Sequence, residues 1–474
     1  MKIVSKWTQM SNAKKSSLAL IFAKLCQKGI AMISAPIFTR IMLTEQYGGV
    51  TNYQSWESVI LIIATLNLSM GVFNNGMLDF PKDRDRFMSS CIVLANTSTL
   101  IVFGMYFFLR TYLEQYIDLG NELMILMFIY MMFYPAYSYW STRQRYEFKY
   151  KLLTIITIGT SILQLLLGIV LVLMAPEHQQ AIWKVYATQG VLIAVGVFFY
   201  AFIMIKARFS ISFEYIKYAF RFNIFLVPHF LAITVLASGD RIMINSMVGK
   251  TATAIYGVSY SAAFVIQIFW QAIEASWTPW LFENLKAGRL KPIKKRANQI
   301  VVLFACIAVI SMLFAPEIMA ILASSAYREG IYVIPSVTGG VFFTGLYALY
   351  MRIEYYSKKT KATMIGSIIA ALANVLLNYV FINIYGYIAA GYTTLACYIL
   401  LYVFHFFYSR KIGMKNIYDD KFILIIGLGV VFISIFISFT YSYNIIRYGI
   451  IACILIIVLI KRHFVLNQIK NILL

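Results

Sequence analysis

Two lysines lie inside an apolar stretch near the start of the chain, where ionisable side chains are rare. Lys24 and Lys28 are four residues apart, so they share one face of a helix. Counted from Ser16 at about 1.5 Å per residue, they lie about 12 and 18 Å into the stretch. These depths bracket the middle of a hydrocarbon core about 30 Å thick. Because ionisable groups at that depth usually face a cavity or a partner, the two lysines predict a basic cavity for a multiply charged anion.

Two more ionisable residues lie near Pro228, where we predict a helix kink. His229 follows the proline directly, and Arg221 comes two turns earlier, nearer to the cytoplasm. We predict that both side chains belong to the same basic cavity and bind its ligand. Two alternatives stay open: His229 could be a packing histidine, and Arg221 could extend its charge to the membrane surface.

Ionisable residues inside other apolar stretches predict ion coupling or gating. Glu57 could pair with Lys28 until a ligand arrives, or take part in coupling to a proton or cation. Glu274, Arg352 and Glu354 lie toward the predicted cytoplasmic ends of their stretches and could form a gate that closes by ion pairs. Ordinary interfacial charge is the alternative for these three residues.

No catalytic or metal-binding motif is recognisable. The four histidines are scattered without metal-ligand spacing, and the five cysteines all fall inside apolar stretches as core residues. There is no phosphate loop and no nucleophile motif. We therefore expect no enzymatic activity, no metal and no cofactor. The acidic residues Glu114, Asp118 and Glu122 leave a membrane glycosyl transferase or polymerase as a minor alternative.

The elements that must position these residues are membrane-spanning helices. Of 474 residues, 61% are hydrophobic and 13% charged, and the mean hydropathy is +0.75. A soluble domain of this length needs far more charge. Stretches of roughly 20 apolar residues predict an all-α polytopic membrane protein with about fourteen spanning helices. The predicted spans are 16–39, 50–78, 87–109, 122–141, 152–174, 182–205, 222–240, 254–281, 298–322, 331–355, 362–384, 387–408, 422–440 and 443–460.

The formal net charge of +22 follows from membrane orientation rather than from nucleic-acid binding. Most lysines and arginines fall in the two terminal segments and in every second loop between the predicted spans. By the positive-inside rule, these segments lie in the cytoplasm. Both termini are therefore predicted to be cytoplasmic, and no nucleic acid is expected as a partner.

A short internal repeat relates the first and seventh predicted spans. Thr39–Met42 at the end of the first span is echoed by Asp240–Met243, about 200 residues later at the end of the seventh. Both spans run outward, so the repeat predicts two parallel lobes. The same offset places His229 opposite Lys28 in the alignment. The predicted division is an N-terminal lobe of six helices (1–210), a C-terminal lobe of six helices (211–410) and an added helix pair (411–474).

The residues around this repeat resemble a known family. The segment Ala35–Arg40, followed by Glu45–Gly48, is similar to the first-loop signature of polysaccharide flippases of the multidrug/oligosaccharidyl-lipid/polysaccharide superfamily. So are Asp240-Arg241, Tyr256–Tyr260 and Trp277–Trp280. The resemblance implies a MATE-like fold with two six-helix bundles around a V-shaped cavity and two extra C-terminal helices.

The implied activity is movement of an undecaprenyl-diphosphate-linked oligosaccharide, such as an O-antigen, capsule or exopolysaccharide unit, across the bacterial inner membrane. Membrane lipid, and a polysaccharide polymerase with chain-length proteins, are the implied partners. A MATE-type drug antiporter and a flippase for a peptidoglycan lipid precursor remain alternatives. Aromatic side chains could stack on the sugar rings, although interfacial belts explain many such residues. The candidates are Tyr134, Tyr137, Tyr139, Trp140, Trp270, Trp277 and Trp280.

Overall fold

The computed structural model describes residues 11–359 and 361–460. These residues form α-helices joined by short connections, with no β-strand among them, and the predicted all-α class is confirmed. The predicted positions of the two chain termini fall on residues outside the described ranges. The helices are α1 (Asn12–Ile41), α2 (Thr44–Ala64), α3 (Val72–Asp79), α4 (Arg84–Ile117), α5 (Asn121–Tyr146), α6 (Tyr150–Met174), α7 (Gln180–Lys206), α8 (Phe213–Ile224), α9 (Val227–Met247), α10 (Lys250–Phe264), α11 (Ile266–Lys286), α12 (Leu290–Leu313), α13 (Ala315–Leu322), α14 (Ile334–Tyr356), α15 (Lys361–Tyr385), α16 (Ala389–Lys411), α17 (Asp420–Phe436) and α18 (Asn444–Ile460). Three 3₁₀-helices cover Glu177–Gln179, Ser325–Tyr332 and Ile437–Ser442.

Twelve helical segments of the described chain are long and apolar enough to cross a membrane. Two further predicted spans lie outside this set. The second predicted span is divided between α2 and α3, and the last corresponds to α18, whose apolar stretch Asn444–Ile454 is shorter. The chain is therefore a multi-pass membrane protein, in line with the predicted count of about fourteen spans.

The second predicted span, 50–78, is not one continuous helix. Leu66 and Asn67 adopt left-handed backbone conformations with φ of 53° and 45°, which end α2. Asn223 is fully buried, and its Nδ2 donates to the carbonyl oxygen of Leu66 at 2.5 Å while its Oδ1 accepts from the amide of Val72 at 2.8 Å. A Cβ atom at Gly71 would lie 2.0 Å from that Oδ1, so the contact requires glycine. The prediction of a continuous helix was wrong because a distant side chain satisfies the broken backbone.

The chain divides into two compact units, and unit 1 covers Met1–Thr251. Its core contains aromatic stacks, with ring centroids 4.4 Å apart between Phe73 and Tyr139 and 4.1 Å apart between Trp140 and Phe199. Tyr139 and Trp140 are only 1% and 3% exposed, so these two candidates for sugar stacking are core residues.

Unit 2 covers Ala252–Leu474, and α14 lies at its centre with most of its side chains buried. At Gly345, a Cβ would lie 2.8 Å from Phe304 and 2.9 Å from Trp270, so a glycine lets the helices approach closely. Trp270 and Trp277 are buried here and are also core residues. The predicted division at 210 and 410 stays a prediction.

A buried arginine links α18, the last helix of the described chain, to α13. Arg447 of α18 donates to both carboxylate oxygens of Glu317 in α13, at 2.5 and 2.6 Å, and to the carbonyl oxygen of Leu313 at 2.9 Å. Two parallel hydrogen bonds between guanidinium and carboxylate fix orientation as well as distance. The last helix is therefore attached to unit 2 by a polar contact as well as by apolar packing.

Candidate functional site

The two lysines predicted to bind an anion lie on one continuous helix. α1 runs unbroken through Lys24 and Lys28, so the predicted four-residue spacing places both side chains on the same face. Both side chains are exposed at the surface of the protein. Two neighbouring ammonium groups on one helix face can bind the separate phosphates of a diphosphate.

Arg221 and His229 lie on either side of a helix break in the same unit. α8 ends at Ile224 and α9 begins at Val227, with Pro228 in its first turn, so the predicted kink is a full interruption. Arg221 is exposed, whereas His229 is half-buried and its Nδ1 has no hydrogen-bond partner among the described residues. Nδ1 of His229 is itself buried, and a buried nitrogen without a partner needs a ligand or a water molecule to satisfy it.

Asn223 links this break to the one between α2 and α3, because it lies in the last turn of α8 and holds the backbone at both ends of the segment 65–71. Backbone that leaves the helical conformation at membrane depth is stable only when its polar groups are satisfied. Broken helices of this kind mark ligand sites in many transporters. Arg221 and His229 therefore lie at a junction suited to binding.

Glu57 lies within the helices of unit 1. Its Oε2 accepts a hydrogen bond from Nε2 of Gln189 at 2.7 Å, and it forms no ion pair with another described residue. The second amide atom, Oε1 of Gln189, is buried without a hydrogen-bond partner, as is the hydroxyl group of Tyr53 one turn before Glu57. The surroundings of this carboxylate are rich in oxygen atoms, which suits a bound proton or cation.

Sequence reasoning did not single out Lys184, although the residue lies inside the predicted span 182–205. Lys184 is 6% exposed, and its Nζ lies 3.7 Å from the ring centroid of Phe38 and 4.6 Å from that of Tyr47. Cation–π contacts at these distances stabilise a buried ammonium group. The signal that could have found it is its position within an apolar stretch, where a lysine needs a specific partner.

In unit 2, the structure brings together two of the three residues predicted to form a gate. Arg352 of α14 donates from Nε to Oε1 of Glu274 in α11 at 2.9 Å, and its Nη2 contacts the same oxygen. Both side chains are partly exposed. This ion pair joins the middle of α11 to the C-terminal part of α14.

The third predicted gate residue, Glu354, is not part of that pair. Its Oε1 lies 2.7 Å from Nδ1 of His405 in α16, and both side chains are buried. Residues two apart on a helix point in different directions, so Arg352 and Glu354 cannot share a partner on one side of α14. His405 lies inside an apolar stretch, and that position alone could have drawn attention to it.

A network of charges surrounds the connection between α5 and α6. Arg143 contacts Asp85 and donates to Oε1 of Glu147 at 2.6 Å, while Lys149 donates to Oε2 of Glu147 at 2.6 Å. Burial raises the pKa of Glu147, but the hydrogen bonds from Lys149 and Arg143 outweigh it and lower the pKa to about 2. The network fixes the ends of α4, α5 and α6.

Within the described residues, no group of three histidine, cysteine, aspartate or glutamate side chains could hold a metal ion. The candidate sites in unit 1 are thus an exposed basic face with a broken-helix junction and the half-buried carboxylate of Glu57. In unit 2 they are the Arg352–Glu274 and His405–Glu354 pairs.

Solved structures with the same fold are transporters. A structure titled as the lipid II flippase MurJ in an inward closed conformation matches 95% of this chain and 99% of its own, with 15% identity and a TM-score of 0.63. An inward-facing multidrug resistance MATE family transporter of the MOP superfamily matches 82% of this chain and 95% of its own, with 14% identity and a TM-score of 0.60. A Vibrio cholerae MATE transporter matches 86% and 98%, with 13% identity and a TM-score of 0.51. The chain has the MurJ/MATE-like transporter fold.

A family model narrows this class. The model described as "Polysaccharide biosynthesis protein" matches residues 13–285, which is more than half of the chain, so the protein belongs to that family. The resemblance seen in the sequence is thereby confirmed. No curated protein matches the chain significantly.

Proposed function

We propose that this protein is a flippase that moves an undecaprenyl-diphosphate-linked oligosaccharide from the cytoplasmic to the outer leaflet of the bacterial inner membrane. Its family and fold support the coarser function, a lipid-linked flippase or transporter. The substrate is moved without chemical change and without a cofactor. An O-antigen, capsule or exopolysaccharide repeat unit fits the family description.

The observation that carries the proposal is the pair of exposed lysines on one face of α1. A diphosphate carries about two negative charges, and two ammonium groups one helical turn apart match them. Arg221 and His229 of the same unit add an exposed guanidinium group and a histidine nitrogen without a partner among the described residues. In this proposal the four side chains bind the diphosphate while the lipid tail stays in the bilayer.

The membrane potential supplies a driving force for transport by alternating access. Moving one charge across the membrane is worth about 2.3 kcal/mol per 100 mV. An inside-negative potential therefore favours outward movement of a diphosphate by about 4.6 kcal/mol per 100 mV. This total applies to the whole cycle, whichever step carries the charge. Ion coupling through Glu57 adds to it in this proposal.

The Arg352–Glu274 pair is the gate in this proposal. Two nitrogens of Arg352 contact one carboxylate oxygen of Glu274 and both side chains are partly exposed, which suits a contact that can open and close. Both termini lie in the cytoplasm in the same proposal, in line with the basic terminal segments. A polysaccharide polymerase and its chain-length proteins would receive the product on the outer side.

The experiment that tests this proposal compares two double variants in cells. Lys24→Ala with Lys28→Ala removes the exposed pair on α1. Lys291→Ala with Lys295→Ala is the matched control, because these lysines are also four residues apart and exposed, in the first turns of α12. We expect only the first variant to lose surface polymer and to accumulate lipid-linked oligosaccharide at normal protein level. Equal polymer display by both variants would contradict the basic site.

A second candidate is a flippase for a peptidoglycan lipid precursor, whose headgroup is also a diphosphate sugar. The likeness to the MurJ structure over 95% of this chain favours it. The discriminating test is whether the protein supports growth of cells depleted of their own lipid II flippase. Growth would favour the precursor, and failure to grow would favour an oligosaccharide of a surface polymer. A drug antiporter is disfavoured, because exposed lysines repel cationic drugs.

A further inference from the structure

Glu354 and His405 form a buried pair of ionisable groups in unit 2 that the flippase proposal does not use. The carboxylate and imidazole side chains are 0% and 1% exposed, and Oε1 lies 2.7 Å from Nδ1. The other carboxylate oxygen accepts a hydrogen bond from Thr363 of α15 at 3.5 Å. The pair therefore joins three helices, α14, α15 and α16. Burying two ionisable side chains so completely costs desolvation free energy, unless their polar atoms have hydrogen-bond partners in every protonation state.

The imidazole ring is held in a defined orientation. The ring of Tyr347 stacks on it, with centroids 5.6 Å apart. A Cβ atom at Gly366 of α15 would lie 3.5 Å from Nε2, so glycine leaves that side of the ring without a side chain. With Nδ1 directed at the carboxylate, Nε2 is the atom that can gain or lose a proton.

The other charged groups nearby already have partners of their own. Tyr355 of α14 interacts electrostatically with Glu354, and Arg352 is paired with Glu274 of α11. On the remaining sides, Asp420 of α17 binds Arg410 of α16 and the hydroxyl group of Tyr350. Among the described residues, the Glu354–His405 pair therefore forms no ion pair with a third charged side chain, and Tyr355 is its electrostatic neighbour.

One proton changes the charge of this unit. Without it, a carboxylate accepts the Nδ1 proton of a neutral imidazole, and the net charge is −1. When Nε2 takes up one proton from water, an imidazolium faces a carboxylate and the net charge is 0; release returns the same proton to water. A net charge is costly in a dry site, so release is linked to entry of water between α14 and α16.

We propose that the Glu354–His405 pair is a proton-binding site, and that its proton is taken up and released during each transport cycle. The coupling to transport rests on the proposed flippase function, whereas proton binding itself does not. The alternative is a fixed structural contact that keeps one protonation state. A measurement that needs no substrate distinguishes a proton-binding site from a fixed structural contact.

That measurement is nitrogen NMR of the full chain labelled at histidine, in detergent micelles. His405→Gln identifies the signal of His405, and His178→Gln identifies that of an exposed histidine as a control. We expect the nitrogen signal of His405 to report uptake of one proton as the pH is lowered, and we expect this response to change in Glu354→Gln. The His178 signal should respond to pH in the same way in both proteins. A His405 signal in one state throughout, or one indifferent to Glu354→Gln, would overturn the proton site.

A second measurement tests the coupling. Flipping of a fluorescent undecaprenyl-diphosphate sugar is followed in vesicles at several pH values. We expect Glu354→Gln, whose amide oxygen still accepts from Nδ1, to reduce the pH dependence of the wild type about fivefold or more. An unchanged pH profile would overturn the coupling. If flipping itself is absent in the wild type while His405 titrates, the flippase proposal fails and the proton site stands. Should Glu354→Gln not fold, His405→Asn, which keeps a donor toward the carboxylate, replaces it.

Discussion

The two units of this protein differ in where the sequence-predicted membrane charges lie. In unit 1, Lys24 and Lys28 are exposed on one helix face. In unit 2, each of the predicted acidic residues has a partner, Arg352 for Glu274 and His405 for Glu354. An exposed ammonium group can be reached by an anionic ligand, whereas a buried ion pair changes only when one partner moves or a proton arrives. In the proposed function, unit 1 therefore binds the substrate and unit 2 controls the cycle.

The largest loss of stability is expected at the helix break between α2 and α3 of unit 1. Asn223→Leu leaves a carbonyl group of Leu66 and an amide group of Val72 buried without partners, at a cost of about 2–6 kcal/mol. We expect poor insertion or a strongly lowered unfolding temperature in detergent. Asn223→Asp, which still accepts from Val72, should lose less. An unfolding temperature of Asn223→Leu equal to the wild type would show that the break does not depend on this side chain.

A smaller effect is expected when the partly exposed pair of unit 2 is reversed. Glu274→Arg or Arg352→Glu alone places two like charges together, and we expect flipping in vesicles to fall about tenfold. The double variant restores opposite charges and should recover to within about threefold of the wild type. The pair is not a functional unit if the double variant is no better than either single one.

The smallest effect is expected from the charge network outside the spans. Because the folded pKa of Glu147 is about 2, below its ordinary value of 4.5, its stabilising contribution is present above about pH 4.5 and is lost as pH falls toward 2. We expect about 1 kcal/mol of stability to disappear over this window in the wild type, measured by thermal unfolding in detergent. Glu147→Gln should lack that part of the acid sensitivity. An identical pH dependence of stability in both proteins would show that Glu147 does not contribute to it.

Local patterns were readable from the sequence, and contacts between distant residues were not. The four-residue spacing of Lys24 and Lys28 needed only a helix, and α1 provides it. The helix break after Ala64 depends on Asn223, which is far away in the chain. No local sequence pattern in 50–78 predicts this break. The partner of Glu354 was likewise hidden, since hydropathy places a residue in a span but does not choose its neighbour.

The measurement that tests the central claim most directly is the rate of diphosphate-lipid flipping in vesicles with an inside-negative potential. Three proteins are compared at equal incorporation: the wild type, Lys24→Ala with Lys28→Ala, and Lys24→Arg with Lys28→Arg. If the exposed cationic face of α1 binds the diphosphate, the alanine variant should lose about 10-fold or more and the arginine variant should retain most of the rate. Equal rates in all three proteins would contradict the claim that these lysines bind the substrate.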